Sequence, residues 1–95
     1  MKIPNKLKVG GHEYKVQITK TYDEAKGYNN WGRTNHAKLK IYIDSEINQS
    51  KKEETFIHEL LHTVDHHIGS ILKEDQVNRI SNSLYQVIKD NKLIR

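Results

Sequence analysis

Along residues 7–18 apolar and polar positions alternate: Leu7 and Val9 sit between lysines, and Tyr14, Val16 and Ile18 resume the alternation after Gly10 and Gly11. A period of two marks strands with one buried face, and a Gly-Gly pair supplies the positive φ angles of a tight turn, so the stretch predicts a β-hairpin. Residues 21–27 then predict a single helical turn, capped by Thr21, that serves as a connector. A second strand pair follows over 30–35 and 38–44, with Leu39, Ile41 and Ile43 on one face and Lys38, Lys40 and Tyr42 on the other.

Past residue 50 the period lengthens to that of a helix. Ser50 and Glu53 have the spacing of a capping box, which predicts a helix starting near Lys51. Ile57, Leu60, Leu61, Val64 and Ile68 form one apolar stripe, and Gly69 supplies the left-handed residue that most easily ends such a helix. A second helix opens around Lys73, Glu74, Asp75 and Gln76 and carries Val77, Ile80, Leu84, Val87 and Ile88 on one face. Strands first and helices afterwards predict an α+β fold, in which a small twisted antiparallel sheet packs on the first helix and a second, C-terminal helix closes over it. No repeat, low-complexity stretch or linker interrupts the pattern, so residues 1–95 are read as a single domain.

Composition narrows the function classes. Only 35% of the 95 residues are hydrophobic, a thin supply for a core, which leaves room for metal binding or self-association to add stability. Cysteine is absent, so neither a disulfide framework nor a thiolate metal site is available. No apolar run exceeds three residues, so neither a membrane span nor a secretion signal is expected, and a cytoplasmic location is the default. The net charge of +4 comes from lysines spread over strands and loops, at positions 2, 6, 8, 15, 20 and 26 among others. Without a basic helix this reads as solvated surface; the basic N-terminal end, with Tyr28 and Trp31, is what favours a nucleic-acid partner.

The chemistry concentrates at His58, Glu59, Leu60, Leu61 and His62. Histidines four apart on a helix project from one side a turn apart, so both imidazoles can reach one metal ion, while the Glu between them lies beside it. A carboxylate there can take a proton from a metal-bound water without itself being a ligand, the arrangement of a zinc hydrolase. Asp65 and His66 lie about 10 to 12 Å along the axis from His58, too far to share that ion, so a third ligand is expected from another element. On the wheel of the second helix Glu74 lies roughly 85° from the centre of the apolar face and Asp75 points almost the opposite way, which favours Glu74.

These residues, His58, Glu59, Leu60, Leu61 and His62 with Glu74 on the next helix, resemble the gluzincin pattern of zinc metallopeptidases, HExxH plus Glu. Glu74, Val77, Ile80, Ser81 and Leu84 are similar to the ligand helix of the ImmA/IrrE-like peptidases of mobile elements, and residues 58–90 to small phage-encoded metallopeptidases of about this length. The spacing from His62 to Glu74 is tighter than in ImmA/IrrE-like proteins. The resemblance implies a minimal zincin-like fold, Zn2+ bound by His58, His62 and Glu74, and Glu59 as general base in peptide-bond hydrolysis. It also implies a protein or peptide substrate held in extended form on an exposed strand, either residues 31–36 or the strand ending at Asp44. Asp65 and Asn78 are candidates to hold the imidazoles in place, and Tyr28, Arg33, His36, His66 and Tyr85 to steady an oxyanion. Two other classes stand beside the hydrolase. One is a non-catalytic metal-binding interaction module of phage or mobile-element origin; the other is a basic nucleic-acid-binding protein whose His pair is incidental.

Overall fold

The computed structural model describes residues 1–20, 22–23, 28–29 and 31–93, and the expected first hairpin is present in it. Strand β1 (Lys6–Val9) pairs antiparallel with β2 (His12–Thr19), with Leu7 opposite Tyr14. Gly10 and Gly11 join them at φ of 60° and 83°, a tight turn that side chains other than glycine rarely allow. Within the stretch expected to form a helical turn, Tyr22–Asp23 is instead a short strand (β3) paired antiparallel with Tyr28–Asn29 (β4). Thr21 and residues 24–27 of that expected turn lie outside the described residues.

The second pair, β5 (Gly32–Asn35) and β6 (Lys40–Asp44), is antiparallel as expected, with Thr34 opposite Ile41. Strand β6 begins two residues later than its alternation suggests, because Leu39 turns into the left-handed region at φ 55°. The sheet order is β1-β2-β6-β5, and β2 runs parallel to β6. The expected antiparallel sheet is therefore corrected to a mixed one, with antiparallel hairpins at its two sides and a parallel seam between them. Composition explains the order. Strand β6 carries Ile41 and Ile43, both fully buried, whereas β5 reads Gly-Arg-Thr-Asn and has little to offer a core. The apolar strand takes the centre, paired on both sides, and the polar one takes the edge.

Helix α1 (Gln49–His67) lies against β1, β5 and β6, and α2 (Glu74–Asp90) packs on α1. The core comprises Tyr14, Ile41, Ile43, Phe56, Ile57 and Ile88, with Leu60 and Tyr85 among the half-buried residues around it. The cap of α1 is Asn48, not Ser50: its Oδ1 accepts the Lys51 N–H at 2.9 Å and the Ser50 hydroxyl at 3.0 Å. Glu53 is thereby released from capping. It is buried and accepts hydrogen bonds from Gln49 Nε2 at 3.1 Å and the Tyr85 hydroxyl at 3.0 Å, tying the first turns of α1 to α2.

The apolar stripes are shifted from the expected ones. Val64 and Ile68 are exposed, and Thr63 and Asp65 occupy buried places on α1, which is covered by the sheet on one side and by α2 on another. On α2 the buried residues are Val77, Ser81 and Ile88, while Ile80, Leu84 and Val87 face outward. The hydroxyls of Thr63 and Ser81 donate to the backbone carbonyls of Leu60 and Asn78, at 2.7 and 3.1 Å, so these small polar side chains enter the interior already satisfied. Among the described residues no helix is long and apolar enough to cross a membrane.

Strand β5 meets α1 most closely at Gly32. A Cβ there would lie 2.5 Å from Thr55 Cγ2 and 3.0 Å from the Tyr42 carbonyl oxygen. Gly32→Ala is expected to push β5 away from α1 and to lower stability by about 1–3 kcal/mol, the range for overpacking a tight contact. Urea unfolding of the variant checks it; an unchanged midpoint would mean that β5 is free to shift.

Candidate metal centre

Where α1 passes under α2, ligand-type atoms from both helices converge. His58 and His62 stand one turn apart, their Nε2 atoms 3.1 Å from each other and their rings at 73°. Glu74, the first residue of α2, completes the group, with Oε1 3.0 Å from His58 Nε2 and Oε2 3.2 Å from His62 Nε2. Asp75 turns away and pairs with Arg79 at 2.7 Å on the solvent side. Glu59 approaches from below, its Oε2 4.0 Å from His58 Nε2. His58, Glu59 and His62 bring one donor atom each within 4.8 Å of one another, a group able to hold a metal ion.

The donor set fits a cation. Two imidazoles that face each other through Nε2 need either a proton or a positive ion between them, since two lone pairs repel. Ligand atoms around tetrahedral zinc at about 2.0–2.1 Å stand roughly 3.3 Å apart, close to the spacing of the His58, His62 and Glu74 atoms. The Glu74 side chain is 63% exposed, which leaves the group open to solvent on that side. Imidazole and carboxylate donors suit zinc but also other divalent transition metals, so the donor set alone does not single zinc out.

Glu59 is built differently from Glu74. Its side chain is buried, and Thr34 on β5 donates its hydroxyl to Oε1 at 2.9 Å, leaving Oε2 toward the His pair. Burial pushes its carboxyl above the usual range; the Thr34 hydrogen bond and the nearby His62 oppose that shift, and the Glu74 charge adds to it.

Two devices on the chain position the group. One is the contact at Gly32, which brings Thr34 over α1. The other is Asp65, expected to steady an imidazole but instead holding the loop between the helices. Its Oδ1 accepts the N–H groups of Ile71 and Leu72, both at 2.9 Å, and its carbonyl accepts that of Ser70 at 2.7 Å. The loop therefore delivers Glu74 to the His pair at a fixed place. Gln76 closes the start of α2 by accepting the Lys73 N–H at 2.8 Å.

Beside the group lies a cleft of about 290 Å³ between β5, α1 and α2, walled by Trp31, Lys51, Glu54, Asn78 and Asn82 and reaching His58 and Glu59. Lys51 Nζ stands 4.2 Å from the centre of the exposed Trp31 ring. Asn78 thus belongs to the cleft wall. Of the candidates for an oxyanion, Arg33 lies over the Tyr42 ring at 4.7 Å, on the face of β5 opposite Thr34, and Tyr85 serves Glu53. His36 and His66 stack on each other in a separate cavity, and the Tyr28 side chain lies outside the described residues. Sequence patterns gave no sign of Thr34, Lys51 or Asn82, whose places depend on how β5 and α2 dock on α1.

Compared with models of protein families, with curated proteins and with solved structures, the chain matches none. What the site can do rests on its own atoms.

Replacing Glu74 with Ala is expected to lower bound metal sharply, as are His58→Ala and His62→Ala, whereas Asp75→Ala leaves it unchanged. Elemental analysis of the purified variants decides. Loss from Asp75→Ala with none from Glu74→Ala would move the ligand. Because ligating imidazoles must be deprotonated, metal is also expected to leave on acidification, and retention at about pH 4 would assign it to carboxylates.

Proposed function

We propose that this chain is a zinc metallopeptidase of the gluzincin type, with His58, His62 and Glu74 as zinc ligands and Glu59 as general base. The observation that carries the reading is the convergence of His58, His62 and Glu74 at 3.0–3.2 Å, with a buried carboxylate aimed at the same point. Zinc held there would lower the pKa of a water toward neutrality and polarise the carbonyl to be attacked.

The chain's own residues do the rest. Thr34 fixes one oxygen of Glu59, so the other is oriented to take a proton from the attacking water and to return it to the leaving amine. A carboxyl held above its ordinary range by burial is a better base for this than an exposed one. Strand β5 lies at the sheet edge beside Glu59, and its outward N–H and C=O groups can hold an extended peptide by main-chain hydrogen bonds. Strand β6 is paired on both sides and is not available for that role. On this reading residues 1–95 are one zincin-like domain similar to the small phage-encoded and ImmA/IrrE-like peptidases, acting on protein or peptide in the cytoplasm of a bacterium or a phage-infected cell.

A second reading, a metal-binding interaction module without catalysis, is favoured by the exposed stripe of Ile80, Leu84 and Val87 on α2. Glu59→Gln separates the two. The variant is expected to fold, keep its zinc and lose cleavage of an unstructured protein by at least about a hundredfold, the lower end for removing a general base. Loss of zinc would make Glu59 a ligand; intact cleavage would remove it from catalysis.

A pH profile tests the same carboxyl without abolishing it. Thr34→Val removes the hydrogen bond that favours ionised Glu59, so its pKa rises further and the acid limb of kcat/KM moves to higher pH. An unmoved limb at unchanged zinc content would contradict Glu59 as the base.

A further inference from the structure

A second cavity, of about 450 Å³, follows the first along α1 and β5. The first is bordered by Trp31, Gly32, His58 and Glu59; the second begins at His36 and Ala37 on one side and at Thr63 and His66 on the other. From Gly32 to His36 an extended chain covers about 13 Å, so a peptide lying along β5 at the first cavity reaches the second within about four residues.

The second cavity is lined by imidazoles from three parts of the fold. His12 comes from β2, His36 from the turn after β5, and His66 and His67 from the end of α1. The His36 and His66 rings stack with centroids 3.9 Å apart and planes within 7°. The buried Tyr14 hydroxyl lies 3.2 Å from His36 Nδ1, and a methyl group on Gly10 would overlap the His67 ring. Among the described residues no carboxylate lines this cavity. Each imidazole donates one N–H when neutral and two when protonated, so four of them concentrate donors with no carboxylate among the described lining residues to meet them.

We propose that this cavity is a carboxylate-binding subsite, in which His36 and His66, flanked by His12 and His67, receive a terminal or side-chain carboxylate of a peptide held along β5. The peptide's path rests on the hydrolase reading; the carboxylate preference does not require cleavage. Burial, and after it the neighbouring His66 imidazole, holds the His36 pKa below its usual value, which means a positive imidazole there is poorly compensated. A carboxylate compensates it, and charge-assisted hydrogen bonds are about twice as strong as neutral ones.

The test is calorimetric binding to the zinc-loaded Glu59→Gln protein, which would not consume the probe. The probes are alanine-based peptides of about six residues, differing only in a Glu or a Gln, or only in a free or an amidated C-terminus. Carboxylate peptides are expected to bind at least about tenfold more tightly than their amide counterparts, about 1.4 kcal/mol, and the ratio is expected to fall to about one when His66→Ala or His36→Asn is added. The probe pair that carries the ratio identifies the source of the carboxylate. A ratio near one in the parent protein, or one that survives both His variants, overturns the proposal. So does a ratio that disappears on removing zinc but not on changing His36 and His66, since the carboxylate then sits on the metal. If wild-type protein cleaves none of these peptides while the ratio and its loss in the His variants stand, the hydrolase reading falls and the subsite remains.

Discussion

The close approach of β5 to α1 is the contact on which the rest of the site depends. It is possible because Gly32 presents no side chain where Thr55 and Glu59 press against the strand. Two residues on, at the next position on the same face of the strand, Thr34 then stands over Glu59 and bonds it at 2.9 Å. A carboxyl this buried would lose much of its hydration without compensation; the hydroxyl supplies part of it and fixes the direction of the free oxygen. The polar sequence of β5 therefore has a structural meaning. A strand with larger apolar residues would have served the core better, but it would have stood further from the helix and left Glu59 unheld.

The third side of the site depends on a turn. Helices α1 and α2 are joined by residues 68–73, and the Asp65 carboxylate collects two of that segment's N–H groups. Backbone groups in a short connection have few partners within it, so a buried acceptor at the end of α1 settles the path of the chain. Glu74 arrives beside His58 and His62 as the first helical residue after that path. The same position suits it electrostatically, because an acid in the first turn of a helix faces the positive end of the backbone dipole.

Much of this was legible in the sequence where a single element decides the outcome. The Gly10–Gly11 turn follows from φ preferences, the pairing of His58 with His62 from helix pitch, and the direction of Glu74 against Asp75 from the wheel of α2. What the sequence did not reveal depends on how elements meet. The parallel seam between β2 and β6 arises because the apolar strand displaces the polar one from the centre, and no local pattern records that exchange. Ser50 and Glu53 have the spacing of a capping box, yet Asn48 is equally good chemistry two positions earlier and leaves Glu53 free to anchor Tyr85. Val64 and Ile68 keep the apolar period of α1 but project beyond what the sheet and α2 cover, while Asp65 is drawn inside by the loop it must hold.

The two helices also explain how a thin core coexists with a defined site. Glu53 with Tyr85 joins α1 and α2 toward one end, and the Asp65 loop joins them at the other. His58, His62 and Glu74 lie between these ties, drawn from both helices, with their donor atoms a few tenths of an ångström from metal-ligand spacing. Glu74 bridges the two imidazoles, 3.0 Å from His58 Nε2 and 3.2 Å from His62 Nε2. A divalent ion bound there would add a third tie between the helices. Its binding free energy would then count partly as folding free energy, so the residues able to hold the ion would also stabilise the packing of α2 on α1.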